Sequence, residues 1–386
     1  MISFKILKKS KKSRARLGIL KTPHGEILTP TLVPVGTQSV VKTLDSADLA
    51  KTKTQTIISN TFHLHLKPGE KIVKRHGGLH KFANLNVPIM TDSGGYQVFS
   101  LGFGRDLQIG KFSLSSLRGA KATKQSLEIK TGNQPKLLKI KPDGVLFRSP
   151  IDGREIFIGP KESIKIQESL GADIIFAFDE CPPPNAGYEY LKKSLETTHR
   201  WAGECLKYKK SRQALYGIVQ GGRFGDLREA SAKFIGGLGF DGFGIGGEFG
   251  EDKNQMKRML SWVADILPEN KPRHLLGVGA PEDLKKIIES GIDTFDCTIP
   301  THFARHGIAF TASGKLDLRK TKFLKDKNPL DKNCACEVCA AYSRGYISHL
   351  LRAREVTPLR LLTLHNLFYF NTLVENLRRD LKSGKL

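Results

Sequence analysis

Nowhere in the 386 residues does an apolar run reach the roughly 18 consecutive residues that a membrane-spanning helix needs, and no hydrophobic signal segment follows Met1. The chain therefore reads as cytoplasmic. Acidic residues are scarce: 38 Asp and Glu stand against 62 Lys and Arg, a formal net charge of +24. Such an excess, carried by an enzyme-sized chain, points to a polyanionic partner, and nucleic acid is the commonest one. Cysteine is scarce too. Of the six, three fall within residues 334–339, which suits a metal in a reducing compartment rather than a disulfide framework. No internal repeat longer than one βα unit is evident. A hydrophobic share of 39% with both charge signs present excludes a disordered chain and allows one large α/β domain or two ordinary ones.

What is present is a rhythm. Short apolar runs recur at Thr31–Val35, Thr56–Asn60, Val87–Thr91, Asp173–Phe178, Ala214–Val219, Asp241–Gly246, Arg273–Val278 and Asp293–Cys297. Segments of helical periodicity such as Pro160–Leu170, Tyr190–Lys209 and Pro281–Ser290 lie between most of them. Strands apolar throughout and alternating with helices predict a parallel sheet covered on both faces. Eight of them predict an α/β fold of the (β/α)₈ TIM-barrel type, with a doubly wound sheet as the alternative. The rhythm stops after Thr311, so residues 1–310 are expected to form the barrel and 311–386 a metal-binding subdomain with C-terminal helices. The Lys-, Ser- and Gly-rich stretch 104–143 breaks the pattern and reads as a basic insertion, an exposed hairpin or loop.

Polar residues stand in phase with this pattern. Asn60, Asp92, Asp179, Gln220, Gly247 and Asp296 each sit at or just past the C-terminal end of a run, and in a barrel those ends converge on one mouth. One such residue alone would be a cap or a loop aspartate; six in phase predict a site. Asp92 opens Asp-Ser-Gly-Gly-Tyr-Gln: Gly94 and Gly95 permit close backbone approach, Tyr96 offers a flat π-face, and Gln97 both donates and accepts hydrogen bonds. Asp296 lies on the last run, followed by Arg305 and His306, which suits a sugar-phosphate backbone. Two carboxylates at one mouth are the minimal set for acid/base plus nucleophilic work at an anomeric carbon.

Cys334, Cys336 and Cys339 place three thiolates within reach of one ion, and tetrahedral zinc asks for a fourth ligand. His349 lies on a basic helix. His365 lies in the apolar text Leu361–Phe368, where an unliganded imidazole would be costly to bury, and is preferred. A closed Cys₃His set predicts one structural Zn²⁺ ion rather than a catalytic one.

The motifs taken together resemble the tRNA-guanine transglycosylase (queuine tRNA-ribosyltransferase) family in its bacterial type. They run through Pro34–Thr37, Asn60–Leu64, Asp92–Gln97, Phe178–Cys181, Gly217–Gly222, Leu276–Gly279 and Phe295–Cys297 to the cysteine cluster. The resemblance implies a (β/α)₈ barrel with a zinc subdomain whose ligands fall on Cys334, Cys336, Cys339 and His365. It implies a pentosyl transfer in queuosine biosynthesis that exchanges guanine at the tRNA wobble position for a 7-deazaguanine base. Asp296 would be the nucleophile and Asp92 the proton donor and acceptor. Ser93, Gly94, Gly95, Tyr96, Asp179, Gln220, Gly247 and Leu276 would bind the base. Gly277, Val278, Gly279, Ala280, Pro281, Glu282 and Asp283, with Thr301, His302, Phe303, Ala304 and Arg305, would meet tRNA. A homodimer is expected by the same analogy.

Three departures from the family pattern stand out. The Gly246–Glu251 loop is one residue short and brings Glu248 to the pocket. Thr301-His-Phe-Ala-Arg305 replaces the usual Thr-Arg-Asn-Ala-Arg. The basic insertion is long. A carboxylate at Glu248 or Glu251 would pair with the ammonium of preQ1, the expected incoming base. The alternatives are a queuine-salvaging enzyme and a non-catalytic tRNA-binding homologue.

Overall fold

The computed structural model describes residues 2–99, 137–183, 186–247 and 253–386. Its centre is an eight-stranded parallel sheet made of β4 (Thr31–Pro34), β5 (Ile57–Ser59), β6 (Ile89–Thr91), β10 (Ile174–Phe176), β11 (Ala214–Val219), β12 (Gly242–Ile245), β13 (Arg273–Leu275) and β14 (Thr294–Cys297). These are the eight apolar runs of the sequence. Their spatial order is β4-β14-β13-β12-β11-β10-β6-β5. A parallel bridge from Val35 to Ile58 and a bond from Gly36 N to Ile58 O (2.8 Å) join the two ends, so the sheet is a nearly closed barrel.

Side-chain alternation explains why the runs are apolar throughout. Val33, Ile58, Met90, Ile174, Phe176, Ala214, Tyr216 and Ile218 fill the barrel interior. Their strand neighbours Leu32, Ile57, Ile89, Ile175, Leu215 and Val219 pack outward beneath the helices. The antiparallel sheet β1 (Ser3–Lys9), β2 (Arg16–Thr22) and β3 (Gly25–Thr29) contributes Leu20 and Ile27 to the interior cluster, plugging the N-terminal end.

That end is also held by aspartates. Asp173 accepts from Ile89 N at 3.0 Å, Asp241 from Leu215 N at 2.8 Å and Asp293 from Arg273 N at 2.7 Å. Each carboxylate ties the start of a neighbouring strand. Arg16 closes on Asp293 with both ends of its fork, Nε to Oδ1 at 2.9 Å and Nη2 to Oδ2 at 2.5 Å, in a buried pair.

Between β6 and β10 lies a second antiparallel sheet, β7 (Leu137–Lys141), β8 (Gly144–Arg148) and β9 (Glu155–Ile158). The tail of the expected basic insertion is thus an ordered strand, while residues 104–136 lie outside the described residues. Past β14 a short helix, Ile299–Arg305, leads to the hairpin β15 (Ile308–Thr311) and β16 (Gly314–Asp317), and then to helices Glu337–Ala341, Arg344–Arg352 and Thr357–Ser383. The last of these packs on the barrel flank. Asn366, fully buried, accepts from Phe310 N at 2.9 Å and donates to Pro300 O and Ile308 O at 3.0 Å each. No helix among the described residues is long and apolar enough to cross a membrane.

Candidate active site and metal centre

Asp92 follows β6 directly and is held by its neighbour strand. Its Oδ1 accepts from Thr61 N at 3.0 Å and Gly94 N at 3.1 Å, and its Oδ2 from Asn60 Nδ2 at 2.6 Å. Asn60 is at once the N-cap of helix Thr61–Leu66, its Oδ1 accepting from His63 N at 2.9 Å, so both ends of the amide are committed. Burial dominates over these three donors, and the nearby negative charge of Asp296 adds to it. The Asp92 carboxyl is pushed up to about 7.

Asp296, on β14, has a side chain 13% exposed. Its Oδ1 accepts from Gly277 N at 2.8 Å and lies 3.2 Å from Nε2 of His274. Gly277 has φ +73°, which aims its N–H at the carboxylate and which a Cβ would strain.

Asp179 and Gln220 form a neighbouring pair. Both are buried, and Gln220 Nε2 donates to Asp179 Oδ2 at 2.7 Å. Gln220 Oε1 is buried without a hydrogen-bond partner, an acceptor left for a ligand. Burial raises Asp179 to about 6 against the pull of the Gln220 and Ser93 hydrogen bonds. Gly95 lets the turn after Asp92 pack against this pair, since a Cβ there would stand 2.9 Å from Asp179 O and 3.4 Å from its Oδ1. Gly95→Ala should therefore displace the Asp179 backbone and weaken binding of the expected base by at least about tenfold, read by isothermal titration. Unchanged affinity would mean that the base does not sit against this pair.

Two contributors escaped the sequence reading. Arg228, fully buried on helix Gly225–Gly236, donates from Nε to Gly222 O at 2.7 Å and from Nη1 to Gly246 O at 3.1 Å. It ties together the two glycine loops that flank Gln220 and Gly247. The signal was available: Arg228 precedes Ser231, Ala232 and Ile235 at helical spacing, so a charge stood on the buried stripe. Ser163 is the other, its Oγ donating to Ser93 O at 2.7 Å and fixing the strand-to-helix turn from outside.

The remaining expected residues divide by exposure. Tyr96 is 38% exposed at the rim, and Leu276 packs against the barrel's interior cluster. Gly247 is open to solvent, while Glu248 and Glu251 lie outside the described residues. In the 277–283 loop, Gly279 is buried, with Cys297 Sγ donating to its carbonyl at 3.2 Å, whereas Val278, Ala280, Pro281 and Asp283 are half-buried and Glu282 is exposed. On helix Ile299–Arg305, Thr301 and Ala304 face the core; His302, Phe303 and Arg305 are half-buried and reach the surface. His302 is held below its usual value through burial first, then by the charges of His306, Arg305 and Lys42.

Away from the mouth, His365 Nδ1 lies 3.8, 3.4 and 3.3 Å from the sulfurs of Cys334, Cys336 and Cys339. With Zn–S near 2.3 Å and Zn–N near 2.0–2.1 Å, a tetrahedral site has N···S edges of about 3.5 Å. The four side chains fit such an ion. His365 is fully buried, and its Nε2 donates to Phe310 O at 2.8 Å, which leaves Nδ1 as the ligating nitrogen. His349 is not in the cluster.

A nearly closed parallel barrel with carboxylates gathered at its C-terminal mouth and a Cys₃His cluster able to hold a metal ion defines a barrel enzyme. Comparison with known proteins specifies which. The family described as "Queuine tRNA-ribosyltransferase" matches residues 10–131 and 118–386. The queuine tRNA-ribosyltransferase of Halothermothrix orenii is 46% identical over 387 residues, covering 100% of this chain and 95% of the relative. That of Staphylococcus aureus is 43% identical over 388 residues, covering 100% and 94%. A putative queuine tRNA-ribosyltransferase of Archaeoglobus fulgidus is 43% identical over 384 residues, covering 96% and 94%. The chain belongs to the queuine tRNA-ribosyltransferase family.

Proposed function

We propose that the protein is a tRNA-guanine transglycosylase that replaces guanine at the wobble position of its target tRNAs with a 7-deazaguanine base, preQ1 by preference, through a covalent ribosyl-Asp296 intermediate. The observation that carries this is the placement of Asp92 and Asp296 within electrostatic reach of each other at one barrel mouth, beside the buried Asp179–Gln220 pair whose Gln220 Oε1 has no hydrogen-bond partner.

Asp296 attacks C1′ of the target ribose while the C1′–N9 bond breaks, its electron pair leaving on guanine. Asp92 supplies the proton for that departure. In the second half-reaction Asp92 takes the proton from N9 of the incoming base, which displaces Asp296 from C1′. Two inversions retain configuration, and no redox or nucleotide cofactor enters. Asp179 accepts from N1–H and the exocyclic amine of the guanine-like edge, and Gln220 and the Gly247 backbone address the carbonyl side. Ser93, Gly94 and Gly95 line the base's edge, and Tyr96 and Leu276 cover the two ring faces. The target nucleotide leaves its stack to reach this depth. The 277–283 loop and the rim formed by His302 and the cationic Arg305 receive the anticodon backbone.

Cys334, Cys336, Cys339 and His365 would hold Zn²⁺, which would supply structural bracing rather than chemistry, since four protein ligands would complete its shell. The protein acts as a homodimer in the cytoplasm, with residues 311–386 as its zinc subdomain.

Incubation with tRNA and each base, followed by mass spectrometry of the wobble nucleosides, tests the substrate. Incorporation of queuine without preQ1 would overturn the preference. The protonation of Asp92 near neutrality makes a further prediction. Guanine release needs the protonated acid, so single-turnover adduct formation should fall as pH rises through about 7. Attack by the incoming base needs the carboxylate and should rise over the same interval. Both limbs should vanish in Asp92→Asn, and a pH-independent wild type would remove Asp92 from the role.

A further inference from the structure

His274 stands on β13 with its side chain turned into the barrel, one layer below Asp296, and is fully buried. Its Nδ1 lies 2.8 Å from Thr294 Oγ1 and its Nε2 3.2 Å from Asp296 Oδ1. Thr294 and Asp296 are alternate residues of β14, so both point inward and the imidazole of the next strand bridges them. The ring of Phe176 packs against it with centroids 5.3 Å apart, fixing its plane.

This geometry selects one tautomer. A carboxylate accepts only, so the nitrogen facing Asp296 carries the hydrogen. In the neutral ring Nδ1 is then the acceptor, and the Thr294 hydroxyl is the donor that satisfies it. With the Gly277 N–H, Asp296 Oδ1 thus receives two donors, one from the strand beside it and one from the loop after that strand.

We propose that His274 is a positioning residue for the covalent step, holding the Asp296 carboxylate at the angle from which it attacks C1′, with its own tautomer set by Thr294. The inference rests on Asp296 being the nucleophile. His274 transfers no proton: the C1′–O bond forms as C1′–N9 breaks, the leaving proton comes from Asp92, and the imidazole N–H stays in place while the carboxylate becomes an ester. A nucleophile at a barrel mouth has rotational freedom about its last bond, and misplacement by about 1 Å can cost about 10²-fold in rate. A donor pair clamping one oxygen removes that freedom.

The test separates kcat from KM. His274→Leu is expected to lower kcat by about 10²-fold while the KM values for tRNA and base stay within about threefold. His274→Gln, whose amide can still donate, should recover at least about tenfold of that loss. Thr294→Val, which keeps the shape and removes the hydroxyl, should lower kcat in the same direction by a smaller factor. Should His274→Leu fail to fold by its thermal melt, the Gln and Val variants decide the matter. A wild-type kcat in the folded variants, or a loss confined to KM, overturns the inference. Covalent adduct in Asp296→Asn would instead refute the nucleophile itself, so the two failures are told apart.

Discussion

Asp296→Asn should abolish the covalent ribosyl-enzyme and lower base exchange by at least about 10⁴-fold, with the fold unchanged. The substitution is nearly isosteric. The Asn oxygen can still accept from Gly277 N and His274 Nε2, which hold Asp296 Oδ1 at 2.8 and 3.2 Å, so the barrel mouth keeps its hydrogen bonds. What disappears is the anionic oxygen able to form an ester with C1′. Asp92 is committed to Asn60, Thr61 and Gly94, and its carboxyl is pushed up to about 7. The measurement is a denaturing gel of enzyme with tRNA bearing guanine at the wobble position, without incoming base. Wild type should shift and Asp296→Asn should not. A shifted band of wild-type yield in the variant would place the covalent bond elsewhere.

The second large effect is expected from removing the metal. Ligand binding to the folded state alone is folding free energy, and the Cys₃His cluster joins segments remote in sequence. Cys334, Cys336 and Cys339 come from the linker and helix Glu337–Ala341, and His365 from the long C-terminal helix. His365 also donates to Phe310 O, and the next residue, Asn366, bonds Pro300 and Ile308. Loss of the ion therefore loosens β15 and helix Ile299–Arg305, the latter carrying His302 and Arg305 on the mouth's rim. Chelation, or Cys336→Ser, should lower the melting temperature by at least about 10 °C and weaken tRNA binding more than base binding. Elemental analysis of the purified chain should find zinc and should lose it in Cys336→Ser. A metal-free protein with the same melting temperature would show that the cluster contributes nothing to stability.

Position within each apolar run separates two sets of aspartates that the barrel segregates. Asp173, Asp241 and Asp293 open their runs and tie strand starts at the closed end. Asp92, Asp179 and Asp296 stand at the other end. Position within the run was readable because parallel strands all point one way, so that start and finish become bottom and mouth. Gly277 shows the limit of motif reading. Expected only at the tRNA interface, it also donates its backbone N–H to Asp296, a bond that depends on a φ of +73° which sequence does not display.

The sequence by itself determined the barrel, because eight apolar runs in a helical rhythm leave few other ways to bury both faces of a sheet. It determined the metal cluster as well, because three closely spaced thiols and one histidine in apolar text have few other uses. The tertiary structure alone decided how the carboxylates are held. Burial raises Asp92 to about 7 in spite of its three donors, and the partners that pin Asp296 come from the neighbouring strand and the loop after it. Only closure of the barrel brings β6 and β14, some two hundred residues apart in the chain, to opposite sides of one pocket, and protonation is set by that proximity and by the loss of water.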